Sequence, residues 1–315
     1  MKTLLRKLIV MLPVGFQVLE DRGLLGTYSR FRKWENVNKA DIKVFLVLCT
    51  AMGLMEKHDL ETYWSTDQVL QTPGFREIMS RDRFEMILEM LHLNNKNNYI
   101  PPGRPHHDPL FKLRPILDSV LPRFRSVYTP HQHITIDEAM IAWKGKLRFR
   151  VYIPIKPDKF GIKTYKLCES VSGYTSTLSF YTGKRFDEHG FPVTVSTKEV
   201  VMGLLDKCNL LNKGYKLYMD NFYTSPDLMD TLLAEGTMLC GTARINRAEM
   251  SDAMKTKLGR GDRIFRRRGN LLAIKWHDKK DVTLLSTFHK AVMKVDISKA
   301  DREGNFPVKP ECPRL

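Results

Sequence analysis

The 315-residue sequence predicts an α+β fold, with a helical first part and then a domain on a mixed β-sheet. Up to about residue 127 the apolar residues recur at helical spacing, and from His133 the spacing drops to two with many β-branched residues. From Ser196 onward helix and strand signals alternate, which supplies helices to cover the sheet.

In the first part, Asp41 to Leu54 places Ile42, Phe45, Leu46, Leu48, Cys49 and Met52 close to a 3.6-residue period. Ser80 is placed to cap a second helix, whose apolar side carries Phe84, Ile87, Leu88 and Leu91. A polar loop follows from Asn94 to Pro109. A third helix, about Leu113 to Val127, is expected to be interrupted or kinked near Pro115 and Pro122.

His133 to Ile141 alternates as a first strand. Lys163 to Ser170 and Thr175 to Tyr181 form a hairpin through the turn Ser172-Gly173. Ser196 or Thr197 caps the next helix, with Glu199 in its first turn and Val200, Val201, Leu204 and Leu205 on its apolar face. Tyr215 to Asp220 is a fourth strand. Ser225-Pro226-Asp227 opens another helix, with serine as cap, proline at the first position and an acid against the positive dipole end. Gly236 closes it, and Thr237 to Ala243 is a fifth strand. Further short strands are expected around Asn270 to Trp276 and Val282 to Thr287. Three leading strands followed by helix, strand, helix, strand is the RNase H-like arrangement, a mixed five-stranded sheet with flanking helices.

Lys and Arg total 51 against 35 Asp and Glu, a net charge of +16. Such a surplus points to a polyanionic partner, since each cation near a phosphate releases a condensed counterion; the other reading is a basic protein kept soluble by charge. Cys49, Cys168, Cys208, Cys240 and Cys312 are odd in number and scattered, which argues against a disulfide framework and a zinc site and fits a reducing compartment. Lys2 and Arg6 before Leu8 to Leu12 loosely imitate a signal peptide. The run breaks at Pro13 and is read as the start of a helix, and no stretch has the length of a membrane span.

Two acids stand out. Asp137 lies inside the first strand and Asp220 at the end of the fourth, and in an RNase H-like sheet those strands are neighbours. Carboxylates converging from them suit hard, oxygen-seeking cations of the kind that serve phosphoryl transfer. An aspartate inside an apolar strand is otherwise satisfied by backbone donors or a nearby cation. Glu138 points to the opposite face from Asp137, Asp227 reads as a helix N-terminal charge, and His106-His107 as a solvated pair in a proline-rich loop.

At these motifs the sequence resembles the piggyBac transposase family, including proteins domesticated from it. The resemblance rests on Ile134 to Met140, Lys144-Gly145, Tyr152 to Lys166, Leu217 to Pro226, Gly241 to Arg247 and Lys275 to Ser286. Tyr63-Trp64-Ser65, Ser80 to Phe84 and Asp108 to Leu113 also fit. It implies a trio of catalytic aspartates, of which Asp137 and Asp220 match two as ligands of Mg²⁺ or Mn²⁺. The family's third lies in a Gly-Val-Asp segment after a Lys-Pro-Glu-like stretch. This sequence reaches Lys309-Pro310-Glu311 without it, and without the family's cysteine-rich, zinc-binding tail. Asp278, Asp281, Asp296, Asp301 and Glu311 do not match the third position.

The resemblance further implies a helical dimerisation and DNA-binding region over 1–130, an incomplete RNase H-like core over 131–244, a basic insertion domain over 245–308 and a tail over 309–315. DNA contacts are expected from Lys156, Lys159, Lys163, Arg260, Arg263, Arg266, Arg267 and Arg268, and residence in the nucleus follows. The expected function is that of a DNA-binding transposase remnant without transposition activity. The alternatives are a fragment of an active cut-and-paste enzyme acting at TTAA targets, and a degenerate product.

Overall fold

The computed structural model describes residues 20–23, 26–183, 185–186, 192–193, 195–277, 279–295 and 308–310. The expected helix start at Leu8 to Leu12 lies outside them, as do Asp278, Asp296, Asp301, Glu311 and Cys312. The chain divides into two compact units, Met1–Val120 and Leu121–Leu315.

The first unit packs around helices α1 (Lys39–Leu54) and α2 (Arg81–Met90). α1 begins ahead of its apolar pattern because Asn38 caps it. The Asn38 side chain accepts from the amides of Ala40 (2.7 Å) and Asp41 (3.1 Å), and the Asp41 carboxylate accepts from the Asn38 amide (3.0 Å). Ile42, Phe45 and Leu48 are buried, whereas Leu46 and Cys49 are exposed. On α2, Ser80 Oγ accepts from the Arg83 amide, and Phe84, Met86, Ile87 and Met90 are buried while Leu88 faces solvent. The two helices meet through Phe45 and Phe84, with ring centroids 4.8 Å apart, and Trp64 completes the cluster by donating its indole N–H to the Met79 carbonyl at 2.8 Å. Arg83 pairs with Asp41 at 2.9 Å, tying α2 to the cap of α1.

Helix α3 (Arg114–Val127) runs unbroken through Pro122. Of the expected interruption or kink, the interruption does not occur at either proline. Pro115 falls in the first turn, where its missing N–H is not needed, and Pro122 is accommodated within the helix.

The second unit is built on one nine-stranded sheet in the order β2-β3-β1-β7-β8-β11-β10-β9, with β4 on β3. The strands are β1 (His133–Ala142), β2 (Val151–Tyr152), β3 (Phe160–Glu169), β4 (Thr175–Phe180), β7 (Lys216–Met219), β8 (Met238–Thr242), β9 (Arg263–Arg268), β10 (Leu271–His277) and β11 (Asp281–Ser286). Two small ribbons stand apart from it: β5 (Arg185–Phe186) with β6 (Pro192–Val193), and β12 (Met293–Val295) with β13 (Val308–Pro310). β1, β3 and β4 are antiparallel neighbours, and β1, β7 and β8 are parallel. The sheet exceeds the five strands expected because the basic segment turns back onto β8, pairing Leu284 with Thr242 and Ser286 with Cys240. Its hairpin strands continue the same sheet instead of starting another.

Helices α4 (Thr197–Lys207) and α5 (Pro226–Ala234) supply the apolar layer on one face. Val201, Leu204, Leu205, Leu228, Met229 and Leu232 cluster with Ile134, Ile136, Leu167, Leu217, Met219 and Leu239. Each such fully buried aliphatic side chain contributes roughly 1.5–3 kcal/mol. Tyr218, Cys240, Leu272, Ile274 and Leu284 form a separate cluster. Ser196 and Glu199 cap α4 reciprocally, and Ser225 caps α5. Among the described residues no helix is long and apolar enough to cross a membrane.

Candidate functional site

Asp137 and Asp220 leave adjacent strands at the same level. β1 and β7 run parallel, their last paired residues are Ile136 and Met219, and each acid comes next. Ile134 and Ile136 turn toward α4 and α5, so alternation directs Asp137 to the opposite face. Both acids are exposed. Asp137 Oδ1 accepts from the Glu138 amide at 2.7 Å, and Asp220 Oδ1 from the Phe222 amide at 2.9 Å.

The loop after Asp220 is pinned from three sides. Thr224 donates its amide (3.2 Å) and hydroxyl (2.8 Å) to the Asp220 carbonyl. Arg247 Nη2 donates to the carbonyls of Asn221 (3.2 Å) and Phe222, and Arg244 Nε to Asn221 Oδ1 (3.3 Å). Gly241 on β8 leaves the room: a Cβ there would lie 2.5 Å from the Met219 carbonyl oxygen and closer still to Thr224 Oγ1. Arg244 and Arg247 were legible only as parts of a motif; their three-residue spacing just past the fifth strand is the signal that marks them as braces.

Behind the acids, on the helix-covered face, Lys163 pairs with Glu138 at 2.8 Å. Its ammonium lies 4.7 Å from the Phe222 ring centroid and 5.1 Å from that of Tyr165. Lys163 is thus engaged in an ion pair, with its side chain 17% exposed. Tyr223 is fully buried, and among the described residues its hydroxyl has no hydrogen-bond partner. Burial first, then the nearby charges of Glu138, Tyr165, Asp137 and Asp220, push the Tyr223 phenol above its ordinary range.

The other expected DNA contacts fall at opposite edges of the sheet. Lys156 and Lys159 sit in the β2–β3 connection, and the arginines lie on or beside β9. With seven strand spacings between, the two groups stand roughly 30 Å apart. β9 divides its arginines: Arg263 and Arg267 share a face with Phe265, while Arg266 and Arg268 take the other. Arg268 pairs with Asp230 (2.5 Å) and Glu249 (3.8 Å), and it is exposed, as are Arg260, Arg263, Arg266 and Arg267. Charges on an edge strand also discourage pairing with another chain.

The Transposase IS4 family model matches residues 18–312. The chain is 26% identical over 263 residues to human PiggyBac transposable element-derived protein 3, covering 80% of this chain and 42% of that protein. It is 23% identical over 292 residues to human PiggyBac transposable element-derived protein 2, covering 87% and 48%. The chain thus spans about half the length of the curated relatives it matches. A cryo-EM structure of a piggyBac transposase synaptic complex with hairpin DNA superposes with a TM-score of 0.77 at 24% identity, over 96% of this chain and 60% of that one, which shows a common fold. The chain belongs to the Transposase IS4 family, in its piggyBac type.

Proposed function

We propose that residues 1–315 form a DNA-binding chain that holds two of the three acids of a piggyBac-type catalytic centre and does not by itself cut DNA. The observation that carries this reading is the emergence of Asp137 and Asp220 side by side from β1 and β7, both exposed. Two such carboxylates suit one hard divalent cation, Mg²⁺ or Mn²⁺, with water filling the rest of its shell. A bound cation supplies charge stabilisation at a phosphoryl oxygen. A two-metal site asks for more oxygens than this pair offers. Among the described residues, no group of three His, Cys, Asp or Glu side chains is placed to hold a metal.

The chain's own residues hold this pair in place. Arg244, Arg247 and Thr224 fix the loop that carries Asp220, and the Glu138–Lys163 pair braces β1 against β3. The order β4-β3-β1-β7-β8, with α4 and α5 on one face, supports reading this part as an RNase H-like core. The net charge of +16 supports DNA as the partner, and the similar piggyBac transposase is one seen with hairpin DNA. Nuclear residence and dimerisation through the helical region belong to the same reading.

Titration of duplex DNA at several salt concentrations tests it. Log affinity should fall linearly with log salt, at a slope of about −0.9 per phosphate neutralised. A folded protein that does not bind, or binds independently of salt, contradicts the reading. A second reading, in which a further acid completes a cleaving centre, is favoured by the chain's matching only about half of its relatives' length.

A further inference from the structure

A row of aromatic side chains crosses the β2–β3–β1 end of the sheet. Tyr152 on β2 is registered with Phe160 on β3, their ring centroids 4.7 Å apart. Ala142 pairs with Gly161, so Trp143 comes opposite Phe160, and its amide donates to the Phe160 carbonyl at 3.2 Å. Residues paired across neighbouring strands share a face. All three are exposed: Trp143 by 48%, Tyr152 by 56% and Phe160 by 44%. Trp143 is the most exposed of the four tryptophans, since Trp64 is buried and Trp34 and Trp276 are intermediate.

The row is held ready. The Trp143 indole lies against Gly145, where a Cβ would come within 3.0 Å of Nε1. Arg150 closes the turn by donating to the carbonyls of Lys144 (2.7 Å) and Gly145 (3.2 Å), while its guanidinium sits 5.3 Å from the Phe160 centroid. Phe149 anchors the turn in the interior. Between Ile141 and Phe160 the chain carries Lys144, Lys146, Arg148, Arg150, Lys156 and Lys159 against one acid, Asp158. By alternation Trp143 shares its face with Asp137, six residues and about 20 Å back along β1.

Exposed apolar rings in one row, with Arg150 against one of them and further cations on the connecting segment, match a strand of nucleic acid whose bases are unpaired. The phosphates meet the lysines and arginines, and the base faces stack on the rings. A protein partner with an apolar face would not call for six cations on the segment that carries the rings. We infer that Trp143, Phe160 and Tyr152 form a stacking platform for unpaired DNA bases on the same sheet face as Asp137. This rests on the DNA-binding reading and adds to it a preference for unpaired over paired DNA.

The test uses the full chain with oligo(dT) and a duplex of equal length, read by tryptophan fluorescence and by affinity. Oligo(dT) should quench the emission, and Trp143→Ala should remove most of that quench. The oligo(dT)-to-duplex affinity ratio should fall about tenfold in Trp143→Ala, the loss of one base–aromatic stack, and be largely kept in Trp143→Phe. An unchanged ratio in Trp143→Ala overturns the inference. So does a Trp143→Ala variant that loses self-association in light scattering while its oligo(dT) binding is intact, which assigns the row to a protein contact. Duplex binding without quenching by oligo(dT) ends this inference and leaves the DNA-binding reading standing. Binding to neither probe ends both.

Discussion

Asp137 and Asp220 each stand one residue beyond the Ile136–Met219 pair, on strands that run parallel and side by side. Each accepts a backbone amide hydrogen bond and is exposed. Neither fills a core position, so the fold does not depend on their charge. Asp137→Asn and Asp220→Asn should each change unfolding free energy by less than about 0.5 kcal/mol. Mn²⁺ affinity, followed by electron paramagnetic resonance, should drop at least about tenfold in either variant, about 1.4 kcal/mol per decade. Undiminished Mn²⁺ binding in both variants would remove the pair from the site.

Gly241 gives the Asp220 loop its room. The Cβ of Gly241→Ala would meet the Met219 carbonyl and the Thr224 hydroxyl, which itself holds the Asp220 carbonyl. Backbone is the obstacle, so relief requires the loop to move. The variant should lose about 2 kcal/mol in denaturant unfolding and bind Mn²⁺ more weakly. A variant as stable as the parent would show that the loop yields freely.

Tyr223 invites the opposite change. Its hydroxyl is buried without a partner among the described residues, within the electrostatic reach of Glu138, Asp137 and Asp220. Removing an unsatisfied buried hydroxyl while keeping the ring relieves a desolvation cost. Tyr223→Phe should match the parent or gain up to about 1 kcal/mol, as calorimetry would show. A loss above about 1 kcal/mol would mean that the hydroxyl has a partner after all.

Lys275 is fully buried and bonds to the Thr256 carbonyl (2.6 Å) and Asp281 (2.7 Å), and Asp281 also meets His277 Nδ1 at 2.5 Å. Lys275 first, then His277, hold the Asp281 carboxyl below the ordinary aspartate value of 3.8. A lowered carboxyl contributes stability above its unfolded value, lost as pH falls through the folded one. Lys275→Met should therefore cost about 3 kcal/mol near neutral pH. That cost should shrink progressively as pH falls below 3.8, where the carboxyl protonates first in the unfolded chain, and be lost once pH has passed the lower folded value. Urea titrations at several pH values measure it, and a pH-independent cost would contradict the assigned pair.

Much of this architecture was legible because local signals agreed. Ser196 with Glu199, and Ser225 with Pro226, announced α4 and α5, and alternation from His133 announced β1. β9 was hidden because Arg-Ile-Phe-Arg-Arg-Arg shows no apolar alternation; it is a strand through pairing with β10. Leu46 and Leu88 looked like core residues because a helix pattern fixes a period but not the width of the buried stripe. At the site the two acids could be read from their strands. The Glu138–Lys163 pair could not, since it depends on a register that only the β1–β3 ladder sets.

The measurement that bears most directly on the central claim is Mn²⁺- or Mg²⁺-dependent nicking of a duplex carrying a TTAA site, beside Asp137→Ala and Asp220→Ala. The account predicts salt-sensitive binding and no nicking by the 315-residue chain. Nicking that disappears in both variants would show a complete centre within this chain and contradict it.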